Sequence, residues 1–80
     1  MPDLIVVRVN NRLGKKAEIP CFPTDTIGDF KKIASHMLGL KAENILLKRQ
    51  GMRPFKNNLT SEDYEIGNGS SLDLEIDIGD

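Results

Sequence analysis

The sequence has almost none of the residues that metal and redox sites need. Its 80 residues include one cysteine, Cys21, and one histidine, His36. One cysteine cannot form an internal disulfide, and a single thiol with a single imidazole cannot complete a zinc site. Cys21 continues the alternating apolar positions of Ala17 and Ile19, which indicates a buried strand side chain and not a reactive thiol. The sequence therefore predicts no metal and no cofactor.

Long apolar segments are also absent. The longest uninterrupted apolar run, residues 4–7, is far shorter than a membrane span. The N-terminus has no apolar stretch of signal-peptide length. We therefore expect an intracellular protein that does not enter membranes.

The short chain limits the kinds of function that it can perform. A chain of 80 residues forms one domain, here residues 1–80, and buries only about 60% of the surface that it exposes when unfolded. An enclosed pocket for a small substrate would compete with the core for the same few apolar side chains. We expect a protein that is not an enzyme.

The charges are divided along the chain. Residues 1–56 hold all eleven lysines and arginines with five acids, whereas residues 57–80 hold seven acids and no base. This division is typical either of two solvated faces or of a contact surface. A nucleic-acid site would need basic side chains interleaved with aromatic ones, and the chain has only four aromatic residues. We predict no direct nucleic-acid binding.

The N-terminal residues predict a β-hairpin. Apolar and polar residues alternate over residues 5–10 and again over residues 17–21. Residues 11–14 between them form a turn, in which Gly14 can adopt the positive φ angle of a short hairpin loop.

A helix is predicted between Thr26 and Gly39. Thr26 with Asp29 three residues later resembles a capping box, and Asp25 and Thr24 are alternative caps. Gly39 is typical of a C-terminal cap. The apolar stripe of the helix consists of Ile27, Phe30, Ile33, Ala34, Met37 and Leu38.

The second half of the chain predicts three further strands. Residues 45–47 form one strand, and residues 53–56 form a short edge strand because they contain a proline. A loop with a helical turn follows over residues 59–66. Residues 72–78 alternate between aliphatic and acidic side chains as a last strand. This order predicts an α+β fold in which one helix packs across a mixed sheet.

Three segments resemble a known family. Residues 25–27 and 63–66 resemble ubiquitin and its β-grasp relatives, and residues 11–16, 25–32 and 63–66 are similar to the Hub family, small ubiquitin-like proteins tied to pre-mRNA splicing. The match runs over residues 4–76. The resemblance implies a ubiquitin-like β-grasp fold with strand order 2-1-5-3-4.

The resemblance also bears on the C-terminus. Ubiquitin is joined to its targets through a terminal Gly-Gly, which this chain lacks, and Hub-family members end in two tyrosines and bind partners without covalent transfer. Glu75 and Ile76 replace the tyrosines here, and four residues follow. Alternatives are a covalent modifier matured at Gly79 by removal of Asp80, and a ubiquitin-like domain of a larger protein.

The family also implies a binding site and a partner. An acid just before the family's helix pairs with an arginine of the partner, and by position this residue is Asp25. Lys15, Lys16 and Asp29 are weaker candidates near it. The implied partners are short amphipathic helices of splicing factors, bound in a surface groove by a monomer in the nucleus and cytoplasm.

The surface by which ubiquitin is recognised is altered in this sequence. Arg8 and Lys48 would lie beside Asp73 and Glu75, with Leu46 as the main remaining apolar residue. Receptors that bury aliphatic side chains would have to desolvate these charges. We therefore expect that ubiquitin receptors do not bind this surface.

Overall fold

A four-stranded mixed sheet with one helix across its face forms the fold. The computed structural model describes residues 3–11, 14, 16–49 and 52–76. Its elements are β1 (Ile5–Asn11), β2 (Lys16–Cys21), α1 (Ile27–Leu38), a 3₁₀ turn (Ala42–Asn44), β3 (Ile45–Lys48) and β4 (Ser71–Ile76). The strand order is β2-β1-β4-β3. β1 is parallel to β4, and the other two pairings are antiparallel.

The buried face of α1 packs on the inward side chains of the sheet. The core consists of Val7, Val9, Ile19, Cys21, Ile27, Phe30, Ala34, Ile45, Leu47, Phe55, Ile66, Leu72 and Leu74. The predicted inward position of Cys21 is confirmed, since it is 1% exposed. Within the described residues, no helix has the length and apolar character needed to cross a membrane.

One residue of the predicted helical stripe is misplaced. Met37 is 51% exposed, whereas Lys31 is buried. Each residue advances about 100° around a helix, so Met37 lies about 80° from Ile27 and Lys31 only about 40° from it, on the other side. The small angle from Ile27 accounts for the burial of Lys31. Met37, in contrast, is exposed although Ile33, about 120° from Ile27 on the same side, packs against the core.

The helix boundaries agree with the capping signals. The Thr26 hydroxyl accepts a hydrogen bond of 3.1 Å from the backbone N–H of Asp29, so Thr26 is the cap and the alternatives Asp25 and Thr24 are wrong. Gly39 closes the helix with φ of 71°, and its N–H donates to the Ser35 carbonyl. The left-handed backbone conformation at this position favours glycine because glycine has no Cβ.

The predicted short strand at residues 53–56 is wrong. These residues are not part of a strand, although the N–H of Phe55 donates to the carbonyl of Leu47 at 2.8 Å. Pro54 has no N–H with which to extend the pairing. The Phe55 ring instead stacks on Tyr64 at 4.1 Å. The implied order 2-1-5-3-4 therefore holds for the four strands that form, without its strand 4.

Strand β2 lies at one end of the sheet and carries a proline. Pro20 pairs with Val6 of β1. The N–H of Val6 donates to the side chain of Asn68, and its carbonyl accepts from Gly69, so the polar backbone atoms of Val6 point away from β2. Pro20 is consequently a non-hydrogen-bonded partner, and its backbone faces the open edge.

Candidate functional site

The carboxylate of Asp25 is held in place by its own loop. Its Oδ2 atom accepts a hydrogen bond of 2.9 Å from the backbone N–H of Phe22. In return, the N–H of Asp25 donates to the carbonyl of Phe22 at 3.0 Å. This reciprocal pair closes the turn between β2 and α1, and it directs a half-buried acid to the protein surface.

Residues 60–62, which are distant in sequence, form hydrogen bonds that hold this turn in place. The N–H of Ser61 donates to the carbonyl of Asp25 at 3.0 Å, and the N–H of Glu62 donates to that of Pro23 at 2.9 Å. Thr26 and Thr60 form an isolated antiparallel bridge next to them. The position of Asp25 therefore depends on residues that are distant in sequence.

Two buried polar side chains lie beneath the Asp25 turn. Burial raises the pKa of the Cys21 thiol, a contact with the Ser61 hydroxyl lowers it by less, and the Asp25 charge raises it again. By geometry, the Ser61 hydroxyl has no hydrogen-bond partner among the described residues, and the Cys21 thiol next to it would be only a weak one. A protonated, buried thiol is a packing group, as the sequence predicted.

Asp25 has no counter-ion within the described part of the chain, where the two ion pairs involve other residues. Asp29 is exposed in the first turn of α1 and adds a second acid at this end of the helix. The exposed ring of Phe22 lies in the same turn. A fixed and unpaired carboxylate next to an apolar ring suits a guanidinium group, which can form two parallel hydrogen bonds to it.

The structure separates Lys16, another predicted site residue, from Asp25 and Asp29. Lys16 begins β2, whereas Asp25 follows the end of that strand at Cys21. Five residues of strand span about 17 Å. Lys16 is therefore at the opposite end of β2 from the acids. Lys15 and Gly79 lie outside the described residues.

The outer face of the sheet has the predicted charges, and most of them are neutralised. Nζ of Lys48 is 3.2 Å from Oε1 of Glu75, and Nε of Arg8 is 3.9 Å from Oε1 of Glu18. Asp73 lies opposite Lys48 in the register of β3 and β4. This arrangement agrees with the expectation that the face does not present an aliphatic patch.

Lys31 is a buried charge that sequence reasoning missed. It is 6% exposed, its Nζ donates to Oδ1 of Asn57 at 2.7 Å, and burial lowers its pKa. The available signal was its spacing, since it follows Ile27 by four residues and precedes Ala34 by three. Among the described residues, no group of three His, Cys, Asp or Glu side chains could hold a metal ion.

Comparison with known proteins identifies the family. No family model matches the chain. The Ubiquitin-like modifier HUB1 of Debaryomyces hansenii is 48% identical over 71 residues, and Ubiquitin-like protein 5 of Drosophila melanogaster is 44% identical over 71 residues. Each match covers 89% of this chain and 96% of the relative.

A solved structure supports the fold independently. The UBL domain of Plasmodium falciparum Dsk2 matches 92% of this chain and 99% of its own, with a TM-score of 0.84 at 22% identity. At this identity the likeness establishes the β-grasp fold alone. The relatives of higher identity show that the chain belongs to the Hub family of ubiquitin-like proteins.

Proposed function

We propose that this protein is a non-covalent interaction module that binds a short amphipathic helix of a splicing factor in the nucleus and cytoplasm, and that it thereby modulates pre-mRNA splicing. Asp25 pairs with an arginine of that helix, and Asp29 contributes a second negative charge. The observation that carries the proposal is the Asp25 carboxylate, which the N–H of Phe22 orients and which no described cation neutralises.

The geometry supports this assignment for an energetic reason. An exposed flexible acid would lose side-chain entropy when it binds a partner, which reduces the gain from an ion pair. Here the hydrogen bond from Phe22 already orients the carboxylate in the free protein. A preorganised group loses less freedom on binding and therefore contributes more to affinity.

A second candidate is covalent attachment to other proteins. The relatives from Debaryomyces hansenii and Schizosaccharomyces pombe are named ubiquitin-like modifiers. Attachment through this chain would need a terminal glycine, and Gly79 would serve only after removal of Asp80. The non-covalent function needs no such processing, and we favour it.

One capture experiment separates the two candidates. A tagged form of the protein is incubated with extract of its own cell type and ATP, and the bound proteins are identified by mass spectrometry after native or denaturing washes. We expect splicing factors after native washing only. Heavier species that survive denaturation through an isopeptide bond at Gly79 would contradict the proposal.

Two matched variants test the role of Asp25 in the same experiment. Asp25→Asn removes the charge but keeps an oxygen that can accept from Phe22, so the turn should persist. Glu43→Gln makes the same chemical change at an exposed acid of the 3₁₀ turn. We expect Asp25→Asn to lose the natively captured partners and Glu43→Gln to retain them. Equal capture by both variants would exclude Asp25 from the interface.

A further inference from the structure

An apolar pocket opens at the opposite end of β2 from Asp25. It lies between the hairpin, the end of α1 and the end of β4, and its volume is about 170 Å³. Six of its lining residues are apolar, namely Val9, Ala17, Leu38, Leu40, Leu74 and Ile76. Val9 and Leu74 are buried, while Ile76 is 43% exposed. The pocket therefore has a buried apolar base and an exposed edge that includes Ile76.

The volume of the pocket limits what it can hold. Binding sites for drug-sized ligands occupy about 300–1,000 Å³, so this pocket is too small for them. A dry apolar cavity of about 150 Å³ accepts a molecule the size of benzene. The pocket in this protein matches one leucine, isoleucine or methionine side chain.

The charge at the rim indicates what lies next to that side chain. Lys16 lines the pocket, is exposed, and forms no ion pair with any described residue. The groups next to an aliphatic side chain that enters the pocket therefore pass close to an ammonium that has no ion-pair partner among the described residues. A carboxylate one helical turn from the aliphatic residue would be attracted to Lys16, and a cation would be repelled.

We propose that this pocket is a second contact point for the helix bound at Asp25, and that it takes an aliphatic side chain flanked by a carboxylate. This inference rests on the proposed function. It specifies a partner helix that is basic at the end facing Asp25 and acidic at the end facing Lys16. The opposite charges of Asp25 and Lys16 thus determine the orientation in which the partner helix binds.

The distance between the two contact points sets the spacing within the partner. Ala17 lines the pocket, and Phe22, whose N–H holds the Asp25 carboxylate, follows it by five residues. That separation is about 17 Å in a strand. A helix covers the same distance in about eleven residues, which is close to three full turns. The arginine and the aliphatic residue of the partner would therefore lie on one face of its helix.

The pocket can be tested without the rest of the ligand. The probe is N-acetyl-leucyl-glutamate, titrated into the ¹⁵N-labelled full chain while backbone amide shifts are recorded. We expect saturable shifts at Ala17, Leu38, Leu40 and Ile76. The charge-inverted probe N-acetyl-leucyl-lysinamide should bind about threefold more weakly, the size of effect that an exposed ion pair produces.

Two variants and one control assign these shifts to the pocket. Ala17→Leu fills the pocket and should abolish them, and Lys16→Glu should reverse the preference between the probes. Lys32→Glu makes the same charge change at an exposed lysine of α1 and should alter neither result. Shifts that survive Ala17→Leu, or equal binding of both probes, would overturn the proposal.

Other occupants of the pocket would be visible before any probe is added. Deletion of residues 77–80 would move the pocket resonances if the chain's own C-terminal residues covered it, and dilution would move them if a second copy did. Either result would overturn the assignment of the pocket to a partner helix. We expect neither manipulation to change the spectrum at the pocket.

A peptide series tests whether the two contact points act together. Alanine-rich helical peptides carry one arginine and, seven, eleven or fifteen residues away, a leucine with a glutamate one turn beyond it. We expect the eleven-residue spacing to bind about tenfold more tightly than the other two, because only that peptide engages both contact points at once.

The variant Asp25→Asn should remove the advantage of the eleven-residue spacing. Equal affinities across the series, with dipeptide binding intact, would overturn the joint site and point to a failure at Asp25. Failure of the dipeptide, with partner capture still dependent on Asp25, would overturn the pocket and leave the proposed function standing. The two experiments therefore distinguish which half is wrong.

Discussion

Charged side chains are used differently at the Asp25 turn and on the outer face of the sheet. At the turn, the backbone N–H of Phe22 orients the Asp25 carboxylate, and no described cation pairs with it. On the sheet, Lys48 lies 3.2 Å from Glu75 and satisfies its charge within the protein. A surface charge can recognise a partner strongly only where its own protein has oriented it without neutralising it.

The same difference distinguishes the outer face of this sheet from the aliphatic surface by which ubiquitin is recognised. Leu46 and Lys48 point outward from β3, since Ile45 and Leu47 are buried on the other side. A partner that bound this face would have to break or desolvate the pair between Lys48 and Glu75, and burial of an ion pair often costs more than it returns. In the part of the chain that the structure describes, Asp25 has no such ion pair to disrupt.

The largest expected effect is a loss of partner affinity when Asp25 loses its charge. Asp25→Asn should weaken binding of the captured helix by about 2 kcal/mol, because it leaves a partner arginine without its counter-ion. Glu75→Gln on the outer face should leave the affinity unchanged. Isothermal titration of each variant measures both values, and similar losses in the two variants would remove the distinction between the surfaces.

A smaller effect is expected on folding at the same turn. Thr26→Ala removes the hydroxyl that accepts from Asp29 and should lower the free energy of unfolding by about 1 kcal/mol. Thr26→Ser keeps the hydroxyl and should restore most of that loss. Urea denaturation measures the difference. An unchanged stability of Thr26→Ala would mean that another group caps the helix.

Double-mutant cycles should show how little the outer ion pairs contribute. We expect a coupling energy of about 0.5 kcal/mol between Lys48 and Glu75, and less between Arg8 and Glu18, whose side chains are 63% and 67% exposed. Both couplings should decrease with added salt. A coupling energy well above about 1 kcal/mol for either pair would contradict the expected small contribution of the outer ion pairs.

The smallest effects are two opposing trends of stability at alkaline pH. Burial lowers the pKa of Lys31 in the folded protein from its usual 10.5. Between the lowered pKa and about 10.5, the unfolded state binds more protons than the folded state, so the free energy of unfolding rises with pH in that range. The pKa of Cys21 is raised from 9.0, so the free energy of unfolding falls above about pH 9.

Variants separate the two trends. Lys31→Met should lose the rise and Cys21→Ala should lose the fall, as measured by urea denaturation across the alkaline range. Each variant also has a pH-independent change in stability, so the slopes are compared and not the absolute values. Parallel slopes in all three proteins would contradict the assigned directions of the pKa shifts.

The sequence predicted those features that depend on neighbouring residues. The predicted caps of α1, Thr26 and Gly39, were correct because capping groups lie within three or four residues of the backbone atoms with which they form hydrogen bonds. The alternation of β1, β2 and β4 likewise identified their buried faces. The family resemblance, and not these local patterns, selected Asp25 as a binding residue.

Features that depend on distant residues were not predictable in the same way. The burial of Lys31 depends on Asn57, which is 26 residues away. The predicted strand at residues 53–56 failed because one hydrogen bond to Leu47 does not continue into a ladder. The pocket near Ala17 is formed by four separate elements, and no single segment of sequence contains a pattern for it.

Pro20 has a consequence for how copies of this chain behave when crowded together. Its backbone faces the open edge of β2, where Pro20 has a carbonyl that can accept but no N–H that can donate to an incoming strand. Continuous main-chain pairing between molecules, the process that builds fibrils, is interrupted at that position. The same edge runs from Asp25 to the apolar pocket, the two proposed contact points for a partner helix. The interruption at Pro20 therefore limits the growth of intermolecular sheets along the region that we propose binds that helix.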